Sequence, residues 1–195
     1  PYTGSLLHRA DRNRENADWL ESCRRHPATR YLTFWDLKVA MCREPLPDLY
    51  WVTADQLPDH VTTESSSIFL GLDQDDNACF TASIAEEVRV LLEPGGAGFV
   101  DARSAAAQLD DGRAAIVAQA RSLLNWNAQN PYCARCGAAT SPQNAGTQRR
   151  CVSTTCNTVI FPRVDPVVIM LVISADGQQC LLGRNPGYPP PGHSA

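Results

Sequence analysis

Four cysteines carry the densest chemistry in the chain. Cys133-Ala-Arg-Cys136 is followed by fourteen residues and then by Cys151-Val-Ser-Thr-Thr-Cys156, so two close pairs fall within 24 residues. Each pair can present two thiolates from one tight turn, and four thiolates suit tetrahedral Zn2+ at about 2.3 Å from each sulfur. Gly137, directly after the second ligand, eases the first turn. The second pair encloses four residues rather than two, which is still within knuckle range. Around the pairs stand Ser141, Pro142, Asn144 and Gly146, which offer no hydrophobic core that could bury free thiols. Cys23, Cys42, Cys79 and Cys180 are scattered singly, and no secretory leader opens the sequence. This distribution favours a metal site in a reducing compartment over a disulfide scaffold. A closed four-sulfur site leaves no position for water or substrate, so the zinc is structural.

A second duty for this module is recognition. Arg135, Arg149, Arg150 and Arg163 bring four guanidinium groups near the cysteines, and Phe161 adds an aromatic face. Such a set can hold nucleic acid or phosphate. It can equally be the solvated surface of a small module without a core, and the residues alone leave both readings open.

The elements that must position the cluster follow from the patterning on either side. The chain has 195 residues, room for one ordinary domain or two small ones. Its net charge of -4 argues against bulk binding to nucleic-acid backbone. The longest apolar run, Val167 to Ile173, is seven residues, whereas a membrane helix needs about 20. A peripheral helix is expected from Glu15 to Arg25, with Trp19, Leu20 and Cys23 on one face. Short β-type runs follow at Tyr31 to Met41, Leu49 to Thr53, Ser67 to Leu72, Cys79 to Ile84 and Val88 to Leu92, and predict an antiparallel sheet. Glu86-Glu87 is read as a solvated strand edge. From Asp101 a short helix, a turn at Asp110-Asp-Gly112 and a longer helix are expected, the latter with Ile116, Ala120, Leu123 and Asn127 on one line. Beyond the cysteines, Val167 to Ser174 and Gln178 to Arg184 predict a hairpin around Asp176-Gly177, with the apolar strand covered on both faces. The fold class is α+β.

Several of these residues carry a family resemblance. Tyr132-Cys-Ala-Arg-Cys-Gly-Ala-Ala-Thr140, Arg150-Cys151, Ile160-Phe-Pro-Arg-Val-Asp-Pro-Val-Val-Ile-Met170 and Cys180-Leu-Leu-Gly-Arg184 resemble the NADH pyrophosphatase branch of the Nudix hydrolases. Phe69-Leu-Gly-Leu-Asp73 and Phe99-Val-Asp-Ala-Arg-Ser104 are similar to recurrent stretches of that branch's N-terminal domain. The resemblance implies a β-rich N-terminal domain over 1–109, a connecting helix over 110–130 and a zinc ribbon over 131–163. Residues 164–195 would open a Nudix α/β/α sandwich with its first hairpin.

It further implies metal-dependent hydrolysis of the NAD(H) pyrophosphate to nicotinamide mononucleotide and AMP, and in some members removal of an NAD cap from RNA. Mg2+ or Mn2+ held by clustered glutamates would serve as the catalytic metal. That glutamate cluster, the Nudix box, is absent from these 195 residues. Pro1 is not an initiator Met, and Tyr188-Pro-Pro-Pro-Gly-His-Ser-Ala195 resembles the loop entering the box, so a fragment at both ends is expected. No catalytic residue is expected in this chain, and on its own it should be inactive. Phe161 matches an aromatic substrate position, and Arg103 matches a recurrent arginine that could grip phosphate. Gly146 stands where some members carry an acidic substrate residue. The implied protein is a homodimer acting on a dinucleotide, and also on NAD-capped RNA, in the cytoplasm, or in the peroxisome if a C-terminal signal follows. The competing reading is a non-catalytic zinc-ribbon module that binds nucleotide or RNA.

Overall fold

The computed structural model describes residues 4–42 and 46–183. Arg184 and the Tyr188 to Ala195 loop lie outside them. The chain divides after Pro162 into two units.

In the first unit the order is α1 (Ala17–Arg25), β1 (Arg30–Trp35), β2 (Lys38–Cys42), β3 (Asp48–Leu49), β4 (Trp51–Val52), β5 (Ser67–Leu72), β6 (Ala78–Ser83), α2 (Glu86–Leu92), β7 (Gly98–Val100), α3 (Ala102–Ala106) and α4 (Asp111–Gln129). Three short strands of the ribbon complete it. The run from Tyr31 to Met41 is two strands rather than one. Asp36 and Leu37 take φ of 48° and 57°, the left-handed conformation a two-residue hairpin turn demands, and β1 folds back onto β2.

The sheet is mixed, which corrects the antiparallel expectation. β1 pairs antiparallel with β2 and β4 but parallel with β6, in register from Arg30↔Cys79 to Phe34↔Ser83. The reason lies in the hairpin joining β5 and β6. Asp73 Oδ1 accepts from the backbone N–H of Asp75 and Asn77, closing a tight turn that returns β6 beside β1 in the same direction. Both neighbours then bury β6 completely at Phe80 and Thr81.

Adjacent residues face opposite sides of the pleat and feed two cores. Tyr31, Phe69 and Phe80 pack with Leu20 of α1 and with Val88 and Leu92 of α2 on one face. Leu32, Phe34, Leu70 and Met41 pack with Ile116, Val117, Ala120 and Leu124 of α4 on the other. Helix α1 is therefore part of the core and not peripheral. Its neighbour Arg14 is buried as well: Nη1 and Nη2 donate to the carbonyls of Phe69 (2.8 Å) and Leu70 (3.0 Å), while the guanidinium lies over the Phe69 ring.

The segment from Val88 to Leu92 is helical, another correction. Val88 and Leu92 are four apart and both buried, the period of a helix face rather than a strand. Glu86 and Glu87 occupy the first turn, where acidic side chains suit the helix dipole, and Arg89 pairs with both Glu86 and Glu93. Asp110-Asp-Gly112 is likewise no turn. Asp110 caps α4 by accepting from Arg113 N–H at 2.8 Å, and Asp111 and Gly112 form its first turn.

In the second unit the expected hairpin reduces to one antiparallel bridge, Ile173↔Cys180, around Gly177 at φ 72°. A strand apolar on both sides needs cover on both faces. Here Val167 is 84% exposed and Ile169 87%, and no strand forms over them. Among the described residues no helix is long and apolar enough to cross a membrane.

Candidate metal centre

Helix α4 delivers the chain to the first pair of cysteines, and backbone hydrogen bonds shape the knuckle around them. Thr140 anchors the entry: its Oγ1 donates to Asn130 O at 2.6 Å and its N–H to Pro131 O at 2.9 Å. Tyr132 pairs with Ala139, Cys133 N–H donates to Ala138 O at 2.7 Å, and Gly137 N–H donates to Cys133 O at 2.8 Å. The second pair is built in the same manner. Cys151 N–H donates to Thr158 O at 2.9 Å and Asn157 N–H to Ser153 O at 2.8 Å. Gly137 (φ 76°) and Asn157 (φ 47°) each follow the second cysteine of a pair in left-handed conformation. Asn is among the few residues that enter this region readily, so the same turn is reached without glycine. Strands β8 (Thr140–Gln143), β9 (Gln148–Cys151) and β10 (Val159–Ile160) form an antiparallel sheet with β9 central.

These turns bring all four sulfurs within 4.8 Å of one another. Cys133 Sγ lies 3.8 Å from Cys156 Sγ, and Cys136 Sγ 3.5 Å from Cys151 Sγ. A zinc tetrahedron with bonds of about 2.3 Å has sulfur edges of about 3.8 Å, so the donor set fits the ion. The electrostatics point the same way. The backbone N–H groups of Arg135 and Cys136 pull the Cys133 thiol below its ordinary value. The Thr158 hydroxyl and backbone N–H bring Cys156 down to about 6. Cys136 accepts from Ala138 N–H, yet the crowding of Cys151 and Cys156 outweighs that and pushes it up to about 12. Backbone and hydroxyl donors thus favour the thiolate at Cys133 and Cys156, the form in which sulfur binds a metal ion. Zinc held by all four would leave no open coordination position and would supply structure only.

The ribbon is locked onto the sheet domain. The turn between β8 and β9 holds three successive left-handed residues, Asn144, Ala145 and Gly146. Ala145 joins the aromatic core, and Gly146 packs against Ile68. Asn127, expected in the apolar stripe of α4, instead donates to Gly146 O at 2.9 Å and accepts from Arg149 Nη1 at 3.0 Å. Arg149 also donates to Thr140 Oγ1 (2.7 Å) and Thr140 O (2.9 Å). Three of the four arginines lie in the first unit and Arg163 in the second. Arg149 is engaged internally, Arg150 donates to Asn157, Arg163 pairs with Asp165 in the second unit, and Arg135 is exposed. The sequence could have flagged Asn127 and Arg149, polar residues on an otherwise apolar helix line and on a β-strand.

Phe161 is 60% exposed. Arg103 lines a recess of about 610 Å3 with Asp101, Ala102, Ala118, Arg121 and Ser122, none of them a ribbon residue. Among the described residues no second cluster of metal-ligating side chains occurs. Of the scattered cysteines, Cys79 is buried and desolvation pushes its thiol up to about 12, as befits a core residue.

Comparison with known proteins gives two family matches. Residues 28–126 match the NADH pyrophosphatase-like rudimentary NUDIX domain, and residues 128–161 match the NADH pyrophosphatase zinc ribbon domain. The NAD-capped RNA hydrolase NUDT12 of Macaca fascicularis is 30% identical over 227 residues, covering 97% of this chain and 49% of that protein. The NUDT12 of Homo sapiens is also 30% identical, with the same coverage. An NAD-capped RNA hydrolase of Schizosaccharomyces pombe is 26% identical over 96% of this chain and 61% of its own length. The chain spans about half the length of the NUDT12 relatives it matches.

Proposed function

The chain belongs to the NADH pyrophosphatase-like branch of the Nudix hydrolases, and from that premise we propose that it is the scaffold portion of an NAD(H) diphosphatase. The reaction is hydrolysis of the dinucleotide pyrophosphate to nicotinamide mononucleotide and AMP. Removal of an NAD cap from RNA is the second activity of the same chemistry. The observation that carries this reading is the rudimentary Nudix domain and the four-cysteine ribbon docked as one unit through Gly146, Asn127 and Arg149.

In this reading residues 1–109 form the N-terminal domain, 110–130 the connecting helix, 131–163 the ribbon and 164–195 the start of the catalytic domain. Cys133, Cys136, Cys151 and Cys156 hold structural zinc. Phe161, exposed just past β10, stacks on a base or nicotinamide ring, and Arg103 contacts phosphate. Attack of water on a pyrophosphate is opposed by anionic repulsion, and Mg2+ or Mn2+ on clustered carboxylates relieves it. The 195 residues contain no such cluster, so the ligands of that metal belong to a longer polypeptide, and this chain alone is inactive. The intact protein is read as a homodimer in the cytoplasm, or in the peroxisome.

The lack of a Nudix box in these residues favours one other reading, a zinc-ribbon module that binds nucleotide or RNA without cleaving it. Incubating NADH and Mg2+ or Mn2+ with the 195-residue chain, beside a polypeptide extended along its natural reading frame, separates the two. Turnover only by the longer polypeptide supports the hydrolase. Comparable turnover by the short chain overturns the division of labour, and silence from both supports the binding module.

A further inference from the structure

We propose that the recess between α3 and α4 is a binding site for a phosphate group, gripped by Arg103 and Arg121. Helix α3 supplies Arg103, while Ala118, Arg121 and Ser122 stand at i, i+3 and i+4 on one face of α4. Two arginines and a serine therefore line one recess, together with Ala102 and Ala118. The volume of about 610 Å3 is that of a small-molecule cleft and exceeds what a bare anion needs.

The partners of the two arginines distinguish them from others nearby. Arg113, earlier on α4, is held by both Asp48 and Asp110. Among the described residues neither Arg103 nor Arg121 makes a side-chain ion pair. Arg121 is only half-buried and its Nε has no hydrogen-bond partner, so no carboxylate or carbonyl of the chain ties down that side of the guanidinium. The one carboxylate in the lining, Asp101, already accepts the Arg103 backbone N–H at 2.9 Å as the cap of α3. Two arginines, one acid and one hydroxyl leave the recess with a net positive charge. Planar guanidinium forks match phosphate oxygens in pairs, so the ligand class is a phosphate monoester or free phosphate.

For Arg103 the assignment rests on the hydrolase reading, where the same residue contacts phosphate. The two can fail separately, because the recess is tested by binding to the 195-residue chain and the hydrolase by turnover of a longer one. The experiment follows the arginine Nε–Hε resonances of the zinc-loaded 195-residue chain by NMR at constant ionic strength. The probes are sodium phosphate, AMP, adenosine and sodium chloride. Saturable shifts of the Arg103 and Arg121 signals with phosphate and AMP, but not with adenosine or chloride, are expected, with Arg113 unmoved. AMP binding tighter than phosphate supports a nucleotide source, and equal binding supports free phosphate. Arg121→Gln and Arg103→Gln should each weaken binding at least tenfold. Arg103 is exposed on a short helix, so its variant keeps the test valid should Arg121→Gln fail to fold. Absence of a saturable shift, an equal response to chloride, a response to adenosine, or unchanged affinity in a folded Arg103→Gln overturns the proposal.

Discussion

Gly146 approaches Ile68 so closely that a Cβ at that position would stand 2.8 Å from Ile68 Cγ1. The contact joins the ribbon turn to strand β5, and it accounts for glycine at this position. With φ at 86° and a buried neighbour on one side, no longer side chain fits.

Gly146→Ala should therefore destabilise the first unit by about 2–4 kcal/mol, the sum of left-handed strain and local overpacking. Denaturant unfolding followed by tryptophan fluorescence measures it. A midpoint indistinguishable from the parent would mean that Ile68 yields freely.

Arg149→Met keeps most of the side-chain volume but removes the donors to Thr140 and Asn127. A loss of about 1–3 kcal/mol is expected, from acceptors left unpaired. Hydrogen exchange should quicken at the ribbon amides near Thr140, while the β1 amides keep their protection. Uniform quickening across both would show that the joint is not local.

Acid stability should depend on Asp110. Its carboxylate is held below the ordinary value of 3.8, first by the Arg113 backbone N–H and also by the Arg113 guanidinium. A group whose folded value is depressed stabilises fully above its unfolded value, and that contribution disappears as pH falls through the folded value. Stability should accordingly be insensitive to this group at neutral pH and decline below about pH 4. Asp110→Asn retains the cap but should show a shallower acid decline; Asp110→Ala should cost about 1 kcal/mol at pH 7. Equal acid slopes for the parent and Asp110→Asn would rule out Asp110 as a source of the acid sensitivity.

The cysteine pairs were legible because metal-ligand spacing is local, and Ser67 to Leu72 and Cys79 to Ile84 because a short β-type run bounded by Asp and Asn is a local signal. What escaped were features decided at a distance. The parallel pairing of β1 with β6 depends on where the β5–β6 hairpin lands. The helix at Val88 was hidden because two valines and two leucines in five residues look like a strand. Its glutamates and Arg89 held the contrary signal. The one-run reading of Tyr31 to Met41 failed because Asp36-Leu37 lacks glycine, and tertiary burial of both flanking strands forces the turn. At the site, Asn127 and Arg149 looked like stripe and surface residues until the ribbon was folded against α4.

The four cysteine sulfurs hold one structural zinc on this view, and X-ray absorption at the zinc edge of the purified chain tests that most directly. The expected result is one zinc per chain with four sulfur neighbours at about 2.3 Å and no nitrogen or oxygen in the shell. Serine at both Cys133 and Cys151 should abolish the signal and disorder the ribbon between Tyr132 and Ile160. A chain that stays ordered there without metal, with its cysteines as free thiols or disulfides, would contradict the assignment.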